Sequence, residues 1–358
     1  MKIYKHCIFF LLFILYSTSI LFADVKPTIK IGAVLPLSGN AEIIGKEAKF
    51  ALENGLKDSK KKKFDYQLIL EDDSLQSNKS VTATKKLINY DNVSVIFSQW
   101  SYGGNAVGST INKSPVINLA TAWDINILNY GENNFLISSP PDSLAYNMLK
   151  KINSESKQNI VLLGFVEAGI VHNFNVTEKL ADDFDIKIID RIETSPEDLT
   201  IFKNLLLKLK NKKVDYLVVV LQYPQLLELF KQMKILKIDL PVFSMGQAPT
   251  QSELKQYLPS KWLNVDYEIK ASSVKEILSK NDLKNISLYP NFYEAIKAIV
   301  EICESYDSKE NKIPPTEWII EKLKNYKKTS SLLGNIYYKD RQLYSDQIVI
   351  KNFLEIFN

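Results

Sequence analysis

The segment from Ile29 to Gly55, IKIGAVLPLSGNAEIIGKEAKFALENG, constrains the fold more than any other part of the chain. Its apolar run Ile29–Leu35 predicts a buried parallel strand, and Ser38 and Gly39 predict a tight turn after it. Asn40 is suited to cap a following helix, because its side-chain oxygen accepts a backbone amide of the first turn. Such a strand-turn-helix unit aims amides at the carboxyl edge of a sheet, where binding crevices form. The helix is indicated by small and apolar residues at helical spacing, namely Ile44, Ala48, Ala51, Leu52 and Gly55.

The amino terminus has the composition of a secretory leader. Lys2 and Lys5 form a basic region, Cys7–Phe22 is an almost unbroken apolar run, and Ala23 is a small residue suited to cleavage. We therefore predict a signal peptide over residues 1–23 and a periplasmic mature protein. An uncleaved membrane anchor is the alternative, because the apolar run approaches the length of a spanning helix.

Composition argues against several classes of function. Cys303 and His172 are the only cysteine and histidine after the leader, so we expect neither an internal disulfide nor a zinc site. Arginine occurs only at Arg191 and Arg341, and the lysines are interleaved with acids, which argues against nucleic-acid binding. The sequence lacks the GxSxG and GxxxxGK[ST] motifs. We therefore expect no cofactor, no metal and no enzyme activity.

Strand and helix patterns alternate in two successive cycles, with a break at Ser138–Ser143 where two prolines suit a crossover between domains. Two such cycles predict two lobes with a cleft between them. Residues 24–140 and 270–325 are assigned to the first lobe, and residues 141–269 and 326–358 to the second. The predicted strands are Ile29–Leu35, Tyr66–Leu70, Val93–Phe97, Val116–Leu119, Phe135–Ile137, Ile160–Leu163, Ile186–Ile192, Val214–Leu221, Val242–Ser244, Gly334–Tyr338 and Gln347–Ile350.

Four motifs occur in order after the leader: IKIGAVLPLSG, LILEDDS (Leu68–Ser74), VSVIFSQWS (Val93–Ser101) and SPVINLATA (Ser114–Ala122). With them the mature chain resembles the periplasmic substrate-binding proteins of ABC importers, in the branched-chain amino-acid (Leu/Ile/Val) binding family. The resemblance implies the type I periplasmic binding protein fold, an α/β fold of two doubly wound parallel-sheet lobes joined by a three-crossover hinge. It also implies a monomer that closes on a small-molecule ligand and delivers it to an inner-membrane ABC permease.

The resemblance also implies ligand-binding residues in the first lobe. Ser101 matches the family serine whose hydroxyl binds a ligand carboxylate. Ala120, Thr121 and Ala122 match a segment of small residues and threonine, and Ile44 matches a bulky residue that packs on the ligand. Ser101 and Thr121 have a plainer interpretation as hydroxyls that bond to their own loops.

In the second lobe, Tyr223 matches a cleft aromatic residue, and Phe165 is expected to complete the enclosure. Gln247 falls near the family acid that holds the ligand ammonium, but a neutral amide cannot compensate a buried charge as a carboxylate does. Glu167 is a candidate to supply that charge instead.

Trp100 and Trp123 flank the small-residue loops, where two indoles can stack on a flat or apolar ligand; taken alone, both have a plainer interpretation as core or rim packing. We therefore hypothesise that the ligand is an amino acid or related carboxylate that is more aromatic or less cationic than leucine. The Glu71–Asp73 cluster is predicted to accept backbone hydrogen bonds and not to bind metal. Two other functions stay open from the sequence: a ligand-sensing ectodomain anchored by the leader, and an exported hydrolase.

Overall fold

The computed structural model describes residues 26–195, 198–246, 248, 252–267, 288–307, 312–330 and 332–357. In chain order, the first elements are β1 (Thr28–Leu35), α1 (Glu42–Asp58), β2 (Asp65–Asp72), α2 (Ser77–Asn89), β3 (Val95–Gln99), α3 (Trp100–Thr110), β4 (Ile117–Thr121) and β5 (Asn134–Leu136). The second set is α4 (Pro141–Ser154), β6 (Asn159–Phe165), α5 (Ala168–Ala181), β7 (Lys187–Thr194), α6 (Ile201–Leu209), β8 (Tyr216–Val220), α7 (Gln225–Leu236), β9 (Val242–Met245) and β10 (Trp262–Tyr267). The last set is α8 (Tyr289–Ser305), α9 (Thr316–Lys324), β11 (Lys327–Ser330), β12 (Gly334–Lys339), β13 (Gln342–Ser345) and β14 (Ile348–Asn352).

The strands form two separate sheets, which confirms the predicted two-lobed α/β fold. The first sheet has the order β11-β12-β13-β5-β4-β3-β1-β2, and the second has the order β14-β10-β9-β8-β6-β7. Strands β1 to β5 pair in parallel, as do β6 to β10. In each sheet the chain first moves to one side and then to the other, which is the doubly wound arrangement.

Along the described strands, the chain passes between the two sheets three times. It crosses after β5, again after β10, and a third time between β13 and β14. The carboxyl-terminal strands differ from the predicted assignment of residues 326–358 to the second lobe. Strands β11, β12 and β13 extend the first sheet beside β5, and β14 pairs with β10 in the second. These strands are short and alternate in polarity, so their own pattern does not indicate which sheet edge they join.

Apolar packing explains why both faces of the first sheet are covered. Ala51 and Leu52 of α1 lie with Ile296 of α8 in one core cluster on one face. Leu87 of α2 and Val107 of α3 lie in a second cluster on the other face. All five side chains are fully buried or nearly so, and burying a large aliphatic side chain contributes about 1.5–3 kcal/mol.

Two local predictions can be compared directly with the structure. Helix α1 begins at Glu42 after a 3-10 turn over Gly39–Ala41, so Asn40 lies inside that turn and is not the helix cap. The apolar, helix-like surroundings of Cys303 in the sequence, AIKAIVEICESY, predict a core position, and the structure buries this residue fully in the first-lobe core. Within the described part of the chain, none of the helices combines the length and the apolar character needed to cross a bilayer.

Candidate ligand-binding cleft

A cleft opens between the lobes where the parallel strands of both sheets end. Doubly wound sheets form binding crevices at these carboxyl ends, next to the point where the strand order reverses. Its cavity volume is about 90 Å³, below the roughly 300–1,000 Å³ of typical small-molecule pockets, so the two walls lie close together. The first lobe contributes Trp100, Ser101, Tyr102, Thr121, Ala122, Trp123 and Ser138. The second lobe contributes Phe165, Glu167, Ile170, Val220 and Gln222.

Six of the ten predicted ligand-binding residues line this cleft. The structure brings together Trp100, Ser101, Thr121, Ala122, Trp123 and Phe165. They come from the ends of β3, β4 and β6, which are far apart in sequence and adjacent only because the strands end at one level. The cleft therefore combines two lobes and several strand ends, as the sequence motifs suggested.

Three of the other four predicted residues are not among those that line it. Ile44 packs against the first-lobe core, and Ala120 is fully buried in a small cluster beneath α3. The ring of Tyr223 packs against the second-lobe core, and its neighbour Gln222 faces the cleft. A turn can expose either neighbour, so the motif does not specify which of the two side chains faces the cleft. Gln247 lies outside the described residues.

The structure adds lining residues that sequence reasoning missed, among them Tyr102, Ser138 and Val220. Tyr102 directly follows Ser101, and its hydroxyl lies 3.1 and 3.2 Å from the two carboxylate oxygens of Asp73, to which it donates. Its ring packs edge-on against Trp100, with centroids 6.5 Å apart. The sequence feature that could have identified Val220 as a lining residue is its place at the end of a buried strand. That position alone does not indicate a binding role.

Glu167 and Ser101 connect the two lobes across the cleft. The Ser101 hydroxyl lies beside the Glu167 carboxylate and acts to lower its pKa, and its oxygen accepts from the backbone amide of Asp124 at 3.3 Å. The same carboxylate accepts from the amides of Gly169 and Ile170 at 2.9 and 3.2 Å, so it caps the amino terminus of α5. Burial raises the pKa of Glu167, and these hydrogen bonds offset part of that effect.

Two glycines allow the lobes to approach closely. A Cβ atom on Gly169 would lie 2.4 Å from the Ser101 hydroxyl oxygen, and one on Gly246 would lie 2.5 Å from the indole of Trp123. Gly246 also has φ +62°, which disfavours other residues. Because both glycines belong to the second lobe and both neighbours to the first, the structure represents a form in which the lobes touch.

Two buried polar atoms at the cleft have no hydrogen-bond partner within the described part of the chain: the indole nitrogen of Trp123 and the hydroxyl of Ser138. Ser138 is only 4% exposed. Buried polar groups in native proteins are almost always paired, and an exception asks for an explanation. A bound ligand that accepts a hydrogen bond from Trp123 and forms one with Ser138 would explain both unpaired atoms.

Trp100 has a left-handed backbone, with φ +58°. This conformation is uncommon for a bulky residue and costs on the order of 1–3 kcal/mol, and such residues cluster at binding sites. Trp100 opens α3, so the strained turn sets the direction in which its indole enters the cleft. The indole also packs partly against the first-lobe core.

The strain at Trp100 leads to a test with two substitutions. Trp100→Ala and Trp100→Gly both remove the indole, and inside a helix alanine is normally more stable by about 1 kcal/mol. We expect the opposite order here, with the glycine variant more stable by about 1 kcal/mol in urea unfolding, because glycine adopts positive φ without a steric penalty. Alanine at least as stable as glycine would show that the backbone relaxes once the indole is gone.

The acidic residues after β2 have a structural role. Asp72 accepts from the amides of Leu37 and Ser74 at 2.8 and 2.9 Å. Burial acts to raise the pKa of Asp72, but hydrogen bonds from the hydroxyl and amide groups of the neighbouring loops outweigh it and lower the pKa. Among the described residues, no group of three or more His, Cys, Asp or Glu side chains is arranged to hold a metal ion.

A second and wider depression lies on the outer edge of the second lobe. It has a volume of about 440 Å³ and is lined by residues of α5 and β7 and of the turn between them, including Glu178 and Arg191. Because its walls belong to one lobe, lobe closure cannot enclose a ligand there. The inter-lobe cleft is therefore the better candidate site.

Comparison with known proteins agrees with this geometry. The family described as periplasmic binding protein matches residues 28–262. A solute-binding protein of an ABC transporter from Rhodopseudomonas palustris BisB5, in complex with 3,4-dihydroxybenzoic acid, is similar in structure with TM-score 0.76 and 16% identity. The similarity covers 91% of this chain and 93% of that one.

Two further structures show the same fold with other ligands. An ABC transporter substrate-binding protein from Desulfitobacterium hafniense in complex with Leu has TM-score 0.71 and 14% identity. The similarity covers 90% of this chain and 97% of that one. A solute-binding protein from R. palustris in complex with benzoate has TM-score 0.76 and 13% identity, and the similarity covers 91% of this chain and 93% of that one. Comparison with curated protein sequences found no match. Since the family match spans more than half of the chain and the two-lobed fold agrees with it, the protein belongs to the periplasmic binding protein family.

Proposed function

We propose that this protein is the solute-binding component of an ABC importer, exported by its leader and closing its two lobes around one small ligand. The observation that carries the proposal is the cleft itself, whose walls come from both lobes and include the unpaired buried hydroxyl of Ser138, which has no partner among the described residues. Family membership supports it, as do similar structures in complex with leucine or benzoate.

Ligand capture works here by population shift. A ligand favours the closed form only through contacts that the open form lacks. Ser101 and Trp123 in the first lobe and Glu167 and Phe165 in the second lie on opposite walls, so a ligand touching both walls links them. The three crossovers between the sheets are the places where the backbone rotates when the lobes separate.

The experiment that tests this function works for a ligand of any identity. Protein purified from its native host is examined by native mass spectrometry for a retained small molecule, and the apo protein is compared with the loaded one by small-angle scattering. We expect one molecule per chain and a smaller radius of gyration when loaded. A loaded protein with unchanged dimensions contradicts lobe closure. Amino-terminal sequencing of the exported protein tests cleavage after Ala23.

Ser138→Ala gives a prediction about affinity and stability together. Removing the hydroxyl removes a buried polar group that lacks a partner among the described residues, so we expect the ligand-free protein to become more stable by about 1 kcal/mol. The same change should weaken binding of the retained ligand about tenfold, because one hydrogen bond to the ligand is lost. Thermal unfolding and calorimetric titration measure the two effects; unchanged affinity would remove Ser138 from the site.

A further inference from the structure

We propose that the ligand of the inter-lobe cleft is a small organic amine that carries no carboxylate, because the protein's own Glu167 carboxylate occupies the donors that would hold a ligand's carboxylate. This inference rests on the proposed function and specifies its ligand. It departs from the sequence-based hypothesis of an amino acid or related carboxylate.

The hydrogen-bond capacity of Ser101 is the first argument. A serine hydroxyl has a single proton to donate, and the Glu167 carboxylate lies beside it: a Cβ atom on Gly169 would be 2.4 Å from the Ser101 oxygen and 3.0 Å from Oε2 of Glu167. Its oxygen already accepts from the amide of Asp124 at 3.3 Å. A proton donated to Glu167 is not free for a ligand carboxylate, whereas the Ser101 oxygen can still accept from a ligand donor.

The amino terminus of α5 is the second argument. Helix amino termini favour anions through their free amides and the helix dipole. Here the amides of Gly169 and Ile170 both point to one oxygen of Glu167, at 2.9 and 3.2 Å. The anion that this helix end attracts is therefore already present as a side chain.

The charge balance of the cleft is the third argument. Among the described residues that line it, none is Lys or Arg, and Glu167 is the charged one. Asp124 lies close enough to raise the pKa of Glu167 further through its negative charge. His172 is the nearby titratable nitrogen; burial lowers its pKa, which keeps it neutral at pH 7. A ligand carboxylate would add a negative charge beside two acids, whereas an ammonium group compensates them.

The cleft walls are also suited to an amine with an apolar body. Trp100, Trp123 and Phe165 line the cleft together with Ile170 and Val220. Aromatic faces attract ammonium groups, most strongly when water is excluded, and the aliphatic residues bury the hydrocarbon part of the ligand. The resulting site recognises one positive charge at Glu167 and an apolar group beside the indoles.

The test compares ligands with the same skeleton and different charge. Phenethylamine, 3-phenylpropanoate and phenylalanine, with benzoate as a further aromatic carboxylate, and in parallel isopentylamine, 4-methylpentanoate and leucine, are titrated into the purified ligand-free protein by calorimetry. We expect the amine of at least one skeleton to bind at least tenfold more tightly than the carboxylate and the amino acid of that skeleton. Tighter binding of a carboxylate or amino acid, or no amine binding, overturns the inference. Neither result touches the proposed function, which the native ligand and scattering measurements test separately.

Glu167→Gln tests the assigned residue. Glutamine keeps an oxygen that accepts from the amides of Gly169 and Ile170, so the helix cap is preserved, and thermal unfolding verifies it. We expect amine affinity to fall at least tenfold and benzoate affinity to rise. Glu178→Gln is the matched control, because it makes the same charge change on the same helix in the outer depression. Equal losses in both variants, or no loss at Glu167, contradict the assignment.

Discussion

Gly169→Ala is expected to weaken ligand binding by about 10- to 100-fold without unfolding the protein. The added methyl group would lie 2.4 Å from the Ser101 hydroxyl oxygen and 3.0 Å from Cβ of Trp123, both in the opposite lobe. Overpacking of this kind costs about 1–3 kcal/mol, which corresponds to that loss in affinity. The cost falls on the closed form, because opening the lobes moves these neighbours away. Calorimetric titration with the retained native ligand measures the loss.

Gly103→Ala is the matched control for this prediction. Gly103 lies in α3 near the same cleft, and the nearest atom to an added Cβ is a carboxylate oxygen of Asp73 at 3.8 Å, an ordinary contact. Both substitutions exchange glycine for alanine within a helix, which by itself stabilises by about 1 kcal/mol. We expect Gly103→Ala to retain affinity within about twofold. Similar affinities for the two variants would show that the closed form does not require contact at Gly169.

Asp266→Asn is expected to stabilise the protein at pH 7 by about 2 kcal/mol and to have little effect at pH 4. Asp266 lies at the end of β10, beside the second crossover, and accepts from the hydroxyl of Ser139 in the first crossover at 2.6 Å. Burial raises its pKa from 3.8 to about 6; hydrogen bonds from Ser139 and Tyr267, and the charge of Lys351, offset this only in part. The residue as a whole is half-buried, so solvent screening reduces the stabilisation expected from removing its charge.

The sign follows from proton binding. Between pH 3.8 and about 6 the folded protein holds a proton on Asp266 that the unfolded chain releases, so this group makes stability fall as the pH rises through that window. Asparagine removes the effect and keeps the oxygen that accepts from Ser139. Urea unfolding of both proteins at pH 4 and pH 7 measures it; a constant difference between them at the two pH values would mean that Asp266 titrates normally.

Asp215→Asn should show the opposite trend. Burial acts to raise the pKa of Asp215, but the amides of Asn159 and Gln158 and the charge of Lys157 outweigh it and lower the pKa. A lowered pKa contributes stability above the unfolded value that is lost on acidification. The variant should therefore be less stable than the wild type at pH 7, and the difference should shrink at lower pH. Urea unfolding at the same two pH values measures it.

The placement of Ser101 and Tyr223 shows how far motif reasoning reached. Ser101 follows a buried strand and begins a helix, so the strand end alone places it at the sheet edge where the cleft forms. Tyr223 follows a strand in the same way, but its ring turns into the second-lobe core and Gln222 faces the cleft. Which neighbour in a turn points outward depends on packing against distant residues, and a local pattern does not carry that information.

Glu167 makes the same point for charge. The sequence suggested it as a source of negative charge for a ligand ammonium, and did not indicate that Ser101 would be its partner. The two side chains come from different lobes, and they lie side by side only because Gly169 allows the two walls to meet.

Local sequence patterns are enough to predict the alternation of strands and helices, and with it the two parallel sheets and the edge at which the cleft forms. These properties follow from hydrophobic periodicity, which each segment carries independently of the others. The tertiary structure alone decided that β11 to β13 extend the first sheet, which side chains face the cleft, and which carboxylate meets the Ser101 hydroxyl. Those outcomes depend on contacts between segments that are far apart in sequence, so no local pattern determines them.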